Sequence, residues 1–411
     1  MIDDGTTFER LVEAGDNVCL TGPGGTGKSF RTRKLIASDP DCFAVTASTG
    51  IAAINVGGLT LHRWSGMMLG PQNGESDEEC LAHLMHDKRF SVRAGFDRIR
   101  NCRTLVIDEV SMLNGRTLDF LDFLCRRLRA ENRPFGGIQM IVTGDFLQLP
   151  PVKKDPSAPY DWAFQSRAWT EADFKVVHLT KIHRQNDVHF IGALSDFRFG
   201  CVEGANARLL RARVARFPDA NLTRLFTHNA QVDKWNHYRL DAIESEPRFF
   251  DAELNGPEAQ QQFLIDNLLT PQRLELKRGA RVMFTVNSAE GGYVNGQTGT
   301  VLDFGCDSIS VESDCGRDLT VEPFTWSYDS RDPRSATFTQ FPLRLSYAVT
   351  IHKAQGLTLD SAYIDVRAAR EPGQAYVALS RVRALDGLHL KDWFAGVFVS
   401  RAAVDFYRIA S

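Results

Sequence analysis

Residues 20–30, LTGPGGTGKSF, combine glycines, a lysine and a serine in a spacing that suits the binding of a chain of phosphates. The segment fits the pattern Gly-x-x-x-x-Gly-Lys-[Ser/Thr], with a short apolar stretch before it and a segment that can form a helix, residues 28–37, after it. Gly22, Gly24, Gly25 and Gly27 would supply the unusual backbone angles that point successive N–H groups inward, and the helix N-terminus adds a positive dipole. A glycine turn with an ordinary surface lysine would not need these flanking elements. The predicted phosphate-binding residues are Gly22, Gly24, Gly25, Thr26, Gly27, Lys28 and Ser29.

Two acidic residues end a second apolar stretch, TLVIDEV. Asp108 and Glu109 would lie at the carboxyl end of a buried strand, where parallel sheets bind their ligands. We predict that Asp108 and the Ser29 hydroxyl hold a magnesium ion, while Lys28 reaches the outer phosphates. Glu109 would then orient or deprotonate an attacking water in phosphoryl transfer. The alternative is an acidic pair that caps the following helix.

A third apolar stretch, QMIVTGD, leads into GDFLQLPPV, residues 144–152. Gln148 would emerge just after a strand edge, and two prolines stop any regular continuation. An amide fixed there could sense a terminal phosphate, whereas a bare glutamine is more often an ordinary surface residue. The segments alternate between strand and helix patterns, which predicts a parallel sheet covered by helices. The predicted strands are 17–20, 43–48, 104–110 and 139–145, and the predicted helices are 28–37, a short one from Thr49, and 116–130.

The composition indicates a globular protein of two or more domains, since 411 residues with 43% hydrophobic content exceed one comfortable core. A net charge of -3 gives no general attraction to nucleic acid, so any such binding needs a local groove. Eight scattered cysteines form no metal-ligand spacing and favour reduced thiols. The acidic N-terminal segment has no apolar signal core, and no apolar run is long enough to span a membrane. We expect a soluble intracellular protein.

The amino-acid pattern changes at two places in the rest of the sequence. Residues 153–175 contain two prolines and predict a connection between domains, followed by a strand at 176–180 and an amphipathic segment that starts near Arg184. Residues 294–339 contain short alternating runs separated by glycine and aspartate turns, which predict a small antiparallel sheet. Further on, a small-residue helix precedes Arg381.

A set of ordered segments between residues 20 and 390 resembles the helicase motifs of the petite-integration-frequency family, relatives of the RecD-type motors in superfamily one. These segments are VTASTGIAAINVGGLTLHRWSG (45–66), VIDEVSM (106–112), PFGGIQMIVTGDFLQLPPV (134–152), LTKIHRQND (179–187), HNAQVDKWN (228–236), GARVMFTVN (279–287), YVNGQTGTV (293–301), LRLSYAVTIHKAQGLTLD (343–360) and GQAYVALSRVRALDGL (373–388). The resemblance implies an ATP-driven, five-prime-to-three-prime DNA helicase of class α/β. It would contain two RecA-like motor domains with parallel sheets and a single-stranded DNA track across both.

The resemblance also implies roles for individual residues. Gln148, Arg184 and Arg381 would complete the catalytic set with Glu109, and Gly356 would lie beside the nucleotide. An arginine from a second domain would neutralise charge on the transferring phosphoryl group, although Arg381 could instead form an ion pair within its own domain. The DNA contacts chosen are Ser48, Thr60, His62, His352 and Lys353, with Trp64 and Trp326 as stacking candidates. The family's upstream adenine-contact glutamine has no counterpart in residues 6–17, so no residue is assigned to adenine.

The domain prediction follows from the same segments. The first motor domain would cover 1–152, with an insertion at about 66–100, and the second would cover 153–293 and 340–411. Residues 294–339 would form a Src-homology-type β-barrel inserted in the second domain. The insertion at 66–100 could be the duplex-splitting element or a variable surface loop.

Four functions are compatible with these patterns. The first is a helicase that uses ATP and Mg²⁺ and acts on single-stranded, forked or tailed duplex DNA. The others are a single-strand translocase or protein-stripping motor, an ATP-clamped binding protein, and a small-molecule kinase with one core. A monomer is expected, without membrane association. The compartment would be the cytoplasm with the nucleoid for a prokaryotic or viral protein, and the nucleus or mitochondrion for a eukaryotic one.

Overall fold

The structure is a computed structural model that describes residues 6–72, 74–153, 155–216, 218–288, 292–329, 332, 334–393 and 396–410. It divides into two compact units: the first unit is Met1–His183 with Ser400–Ser411, and the second unit is Arg184–Val399. A small-molecule kinase with a single core does not fit this division. No helix in the described ranges is long and apolar enough to cross a membrane.

The first unit is built on a parallel sheet. Its strands are β1 (Val18–Thr21), β2 (Phe43–Ala47), β3 (Leu59–Thr60), β4 (Thr104–Asp108), β5 (Gln139–Gly144) and β6 (Lys175–His178). Its helices are α1 (Thr7–Glu13), α2 (Lys28–Ser38), α3 (Gly50–Val56), α4 (Leu61–Ser65), α5 (Asp77–His86), α6 (Phe90–Asn101), α7 (Gly115–Arg129) and α8 (Arg167–Ala172). Across the described residues the strand order is β3-β2-β4-β5-β1-β6, and every pairing is parallel.

The buried strands at the centre of this sheet fix where side chains can do chemistry. β1 and β4 are buried along their whole length, and β5 is buried except at its first residue, because both faces of a parallel sheet are covered. Parallel strands end at the same edge, so the segments after β1, β4 and β5 start side by side. The α/β class and the parallel sheet predicted from the alternating pattern are confirmed.

The division between the units differs from the predicted boundary at residue 152. The strand expected to open the second domain is β6, which pairs with β1 from Val18↔Lys175 to Thr21↔His178. β5 pairs with one edge of β1, so the backbone N–H and C=O groups on the other edge of β1 need a second partner. β6 supplies these hydrogen bonds. The first unit therefore extends to His183 and also includes the segment from Ser400.

The predicted insertion at 66–100 is largely regular. α5 begins with a capping box in which Ser76 and Glu79 satisfy each other's backbone N–H groups. α6 packs so closely on the end of α4 that a Cβ on Gly95 would lie 2.4 Å from the backbone nitrogen of Gly66. The sequence pattern predicted less regular structure in this segment than it has. Its glycines and polar residues suggested loops, but they lie at helix ends and at contacts between helices.

The second unit contains helices and several sheets. Its helices are α9 (Val188–Arg198), α10 (Gly204–Arg211), α11 (Asn229–Asp241), α12 (Glu258–Asn267) and α13 (Gln374–Leu379). Its strands are β7 (Arg224–Phe226), β8 (Arg248–Asp251), β9 (Glu253–Asn255), β10 (Arg273–Leu276), β11 (Arg281–Phe284), β12 (Thr298–Phe304), β13 (Ile309–Ser313), β14 (Asp318–Val321), β15 (Phe324–Ser327), β16 (Thr337–Gln340), β17 (Leu343–Leu345), β18 (Ala348–Thr350), β19 (Ala362–Ile364) and β20 (Leu388–Leu390). A last helix, α14 (Arg401–Ala410), belongs to the first unit.

The sheets of the second unit correct two predictions. A parallel sheet of order β18-β7-β19-β20 is present in the described residues, as expected. The alternating runs do form antiparallel strands, but their sheet, β14-β13-β12-β11-β17, reaches beyond 294–339 at both ends. The apolar pattern of residues 343–351 predicts a single strand, but β17 pairs with β11 while β18 pairs with β7 in a different sheet.

We expect Gly22→Ala to lower the free energy of unfolding more than Gly15→Ala does. Both glycines have positive φ, a backbone conformation that residues with a side chain rarely adopt. A Cβ on Gly22 would also lie 2.4 Å from the carbonyl oxygen of Leu179, whereas a Cβ on Gly15 meets nothing within 4 Å. Denaturant unfolding of the two variants measures the difference, and equal losses would contradict the close approach.

Candidate functional site

The glycine-rich loop connects β1 to α2, and its own lysine closes it. The Lys28 ammonium donates to the carbonyl oxygens of Gly22 at 2.7 Å and Pro23 at 3.0 Å. The Thr26 hydroxyl also donates to Pro23, at 2.9 Å. The loop therefore forms a compact turn with a positive charge held across it, at the N-terminus of a helix.

The glycine angles match the predicted loop with one correction. Gly22, Gly25 and Gly27 have φ values of +148°, +85° and +87°. Gly24 has no positive φ, so its unusual-angle role was predicted wrongly. Gly27 is the residue that precedes α2, and its left-handed conformation turns the chain into the helix.

Asp108 is the last residue of β4 and is buried at the edge where the loop lies. The Thr143 hydroxyl on β5 donates to its carboxylate, and the Glu109 backbone N–H donates to Oδ1 at 2.9 Å. Burial raises the pKa of Asp108 above its ordinary value, while these bonds and the charges of Lys28 and Arg33 act in the opposite direction. Its charged form would gain from a cation at this position.

Glu109 has a left-handed backbone, with φ of +54°, which is rare for a residue with a side chain. Such strain is concentrated at functional sites. Glu109 precedes a single turn of 3-10 helix, Val110–Met112, and the Glu109 side chain makes no capping bond to that turn. α7 is capped by Asn114, whose side chain accepts from Thr117 at 2.7 Å. The alternative in which the acidic pair caps the following helix is therefore wrong.

Gln148 lies in the turn after β5 and is buried. Its amide Nε2 donates to Asp145 Oδ2 at 3.2 Å, and its backbone N–H donates to the Asp145 carbonyl oxygen at 2.9 Å. Asp145 is itself completely buried. The glutamine is thus held by a residue that sequence reasoning did not select, although the GDFLQ segment contains both.

The DNA candidates of the first unit lie near the same strand ends. Ser48 donates its hydroxyl proton to the Glu109 carbonyl oxygen at 2.7 Å, and its N–H donates to the Asp108 carbonyl at 3.1 Å. Thr60 ends β3 and precedes α4, which begins one residue before His62. Burial lowers the pKa of His62, which favours a neutral ring.

Neither tryptophan proposed for base stacking presents an open face. Trp64 is only 4% exposed and Trp326 is 7% exposed, so both belong to the interior. Trp326 packs against Phe324 and Phe338, with ring centroids 4.8 Å and 5.7 Å away. The stacking assignments were wrong, because the aromatic pattern alone does not separate a core tryptophan from an exposed one.

Two arginine segments meet inside the second unit. Arg184 donates from Nε to the Thr358 hydroxyl and from Nη1 to the Ser380 carbonyl, both at 3.1 Å. Arg381 is 2% exposed and donates to the Val377 carbonyl at 2.9 Å and to the Ser380 hydroxyl at 2.8 Å. Segments almost two hundred positions apart are therefore joined through Ser380.

The remaining candidates of the second unit follow β18. His352 and Lys353 are half-buried, and burial lowers the pKa of each. Gly356 is exposed and has a φ of +83°. Sequence reasoning missed Arg344, whose Nε and Nη1 atoms are enclosed without a hydrogen-bond partner in the described ranges. Burial lowers the pKa of Arg344 to about 10, and an arginine inside an apolar strand was the available signal.

The site residues thus form two groups. The phosphate loop, Asp108, Glu109, Gln148 and Ser48 belong to the first unit, at the carboxyl edge of its sheet. Arg184, Gly356, Arg381 and the His352–Lys353 pair belong to the second unit.

Comparison with known proteins is consistent with this arrangement. The family description PIF1-like helicase matches residues 6–194. The ATP-dependent DNA helicase Pif1 of Bdellovibrio bacteriovorus is 37% identical over 402 residues, which cover 97% of this chain and 89% of that protein. The chain spans about 60% of the length of the Xenopus and human relatives that it matches.

Solved structures match over nearly the whole chain. The crystal structure of Bacteroides Pif1 with ADP-AlF4 has a TM-score of 0.84 and 32% identity, covering 98% of this chain and 95% of that one. Bacteroides Pif1 with ADP-AlF3 and single-stranded DNA has a TM-score of 0.66 and 33% identity, covering 98% and 96%. With these matches, the resemblance first seen in the ordered motifs is confirmed, and the chain belongs to the family of PIF1-like helicases.

Proposed function

We propose that this chain moves five-prime to three-prime along single-stranded DNA and separates the duplex ahead of it. As a PIF1-like helicase it is an ATP-hydrolysing enzyme. The direction is the one that the ordered motifs imply, and the observation that supports an ATP-driven motor is the shared sheet edge at which the phosphate loop meets Asp108, Glu109 and Gln148. That arrangement supplies a cradle for phosphates, a buried carboxylate, a second carboxylate and a fixed amide.

ATP is the proposed nucleotide, because a relative of known structure binds ADP-AlF4. The backbone N–H groups of the loop and the Lys28 ammonium would bind its phosphates. Asp108 and the exposed Ser29 hydroxyl fit a magnesium ion, since oxygen atoms are its preferred ligands and burial penalises the Asp108 charge when no cation is near. Bound there, Mg²⁺ would neutralise charge on the phosphate oxygens.

Hydrolysis needs an oriented water and stabilisation of the developing charge. Glu109 is proposed to orient or deprotonate the water, and Gln148 to sense the terminal phosphate. Arg184 and Arg381 are proposed to stabilise the transferring phosphoryl group, and Gly356 to lie beside the nucleotide. Hydrolysis would then depend on both units, so that ATP turnover is coupled to movement between them.

Single-stranded DNA is the proposed track, as in the Bacteroides complex. The contacts proposed are Ser48, Thr60, His62, His352 and Lys353, which supply hydroxyl, imidazole and ammonium groups to phosphates. We propose that one chain is sufficient for hydrolysis, because all the residues assigned to it lie in one chain. A related structure describes unwinding of forked DNA by two coordinating Pif1 helicases.

Glu109→Gln is expected to bind ATP and DNA but to hydrolyse ATP at least roughly a hundredfold more slowly, because it removes a positioned base. Glu131→Gln is the matched control, since Glu131 is partly exposed and forms an ion pair with its neighbour Arg133 at 3.1 Å. DNA-stimulated hydrolysis and ATP affinity are measured for both. Weakened ATP binding with unchanged turnover at saturation would make Glu109 a structural carboxylate.

Arg381→Ala is expected to keep ATP affinity within a few-fold and to lose roughly a thousandfold in hydrolysis, together with unwinding. Arg383→Ala is the control, because Arg383 is 54% exposed and forms an ion pair with Asp360 at 3.2 Å. Since Arg381 is buried, thermal melting of both variants must accompany the assay, and Arg381→Lys keeps the charge if the alanine variant unfolds. Hydrolysis at the parent rate in a folded Arg381→Ala variant would refute the role.

Polarity is the direct test of the proposed function. Duplexes with a five-prime tail, a three-prime tail or a fork are offered to the purified chain with ATP and Mg²⁺, and strand separation is followed. The five-prime tail should permit unwinding and the three-prime tail alone should not. Equal activity on both tails would refute the direction, and hydrolysis without any strand separation would favour a translocase.

A further inference from the structure

The hydroxyl of Tyr407, on α14, lies in the interior of the first unit next to the nucleotide edge. It lies 2.6 Å from the Thr21 hydroxyl and donates to Asp145 Oδ1 at 3.0 Å. The Phe146 backbone N–H donates to it at 3.1 Å. One phenol thus contacts the last residue of β1, immediately before the phosphate loop, and the turn that follows β5.

The Asp145 carboxylate links Tyr407 to Gln148, because it accepts hydrogen bonds from both. Its Oδ1 accepts from Tyr407 and from the Leu147 backbone N–H at 3.2 Å, while its Oδ2 accepts from Gln148 Nε2 at 3.2 Å. The amide nitrogen is the donor in this bond and the Asp145 oxygen is the acceptor, so the Gln148 NH₂ group faces Asp145. The amide oxygen of Gln148 therefore points away from Asp145.

Aromatic packing fixes the helix that carries the phenol. The neighbouring Phe406 packs against Phe146 and Phe164, with ring centroids 4.9 Å and 4.8 Å away. Tyr407 is 3% exposed, and its ring lies 5.6 Å from that of His178 at the end of β6. The hydroxyl is consequently held in one place by a packed interior rather than by a mobile surface helix.

We propose that Tyr407 is a positioning residue for the nucleotide site, holding Asp145, and through it the Gln148 amide, in register with the phosphate loop. The inference rests on the proposed function, in which Gln148 senses the terminal phosphate. No family motif named above includes α14, so the role goes beyond the motif residues. Its physical basis is that a buried donor and acceptor pair fixes an amide far better than the amide's own turn does.

Removal of the hydroxyl should affect turnover rather than nucleotide binding. In Tyr407→Phe the ring and its packing remain, but Asp145 loses a donor and the Phe146 N–H loses its acceptor. The loop residues that bind the phosphates are unchanged, so KM for ATP should stay within about twofold. The kcat of DNA-stimulated hydrolysis should fall roughly tenfold or more, the scale expected for a misplaced group at a reacting centre.

The experiment is a double-mutant cycle with Tyr407→Phe, Gln148→Ala and the combined variant. Steady-state kcat and KM for ATP are measured with saturating single-stranded DNA, and each protein is melted to record its stability. Tyr238→Phe is the control, because it removes the same hydroxyl from a side chain that is 63% exposed. If Tyr407 acts through Gln148, Tyr407→Phe should lower kcat in the parent and cause no further loss when Gln148 is already alanine.

A purely structural role predicts a different result. The melting temperature would then fall while kcat of the folded protein stayed at the parent value, or the two losses would multiply in the combined variant. Either outcome overturns the inference. If Tyr407→Phe does not fold, Asp145→Asn tests the same link from the other side, and an unchanged kcat in that variant overturns the inference as well.

The outcomes also separate this inference from the proposed function. A parent chain that hydrolyses ATP but does not separate strands refutes the helicase, while the cycle still decides the role of Tyr407. A parent chain that separates strands with an unaltered Tyr407→Phe variant refutes only the positioning role. A parent chain without any DNA-stimulated hydrolysis refutes both.

Discussion

Parallel pairing of β1, β5 and β4 is the constraint on which the nucleotide site depends. β1 and β5 are in register from Val18↔Ile141 to Thr21↔Gly144, and β5 is in register with β4 from Thr104↔Gln139. Because the three strands run in one direction, their carboxyl ends reach the same edge together. A shift of register would separate the phosphate loop from the acidic pair, so the apolar strands determine the chemistry as much as the polar residues do.

Burial at this edge makes each polar group dependent on a specific partner. Asp108 accepts from Thr143 and from the Glu109 N–H, and Asp145 accepts from Tyr407 and Gln148. An unpaired carboxylate in the interior would be costly, whereas a fully bonded one is rigid. Rigidity has a functional consequence here, since phosphoryl transfer relies chiefly on positioned groups and fixed charges.

The second unit uses its polar groups differently. Arg184 and Arg381 both bond to Ser380, and their other hydrogen bonds described above go to hydroxyl and carbonyl oxygens. Bonds between a guanidinium and uncharged acceptors are weaker than bonds to a phosphate, which is charged and accepts from both arms of the fork. In its proposed role Arg381 would gain by exchanging these acceptors for phosphate oxygens, and such an exchange is one physical means of coupling nucleotide state to conformation.

The sequence by itself determined the local elements and much of the chemistry. The phosphate loop between β1 and α2, the acidic pair at the end of β4 and the α/β alternation could all be predicted, because each is coded by neighbouring residues through apolar periodicity and glycine angles. The motif order was also enough to identify the family. Each of these patterns is formed by residues that are close together in the sequence.

Only the tertiary structure decided which distant segments share a surface. β6 joins the first sheet because β1 needs a second neighbour, and residues 343–351 divide between two sheets. Trp64 and Trp326 are interior rather than exposed, and Tyr407 reaches Asp145 across 262 positions. Periodicity shows that a side chain is apolar or that a strand exists, but it does not show what covers the strand. Pairing and packing over long separations depend on the fit of the whole folded chain, and no local pattern contains that information.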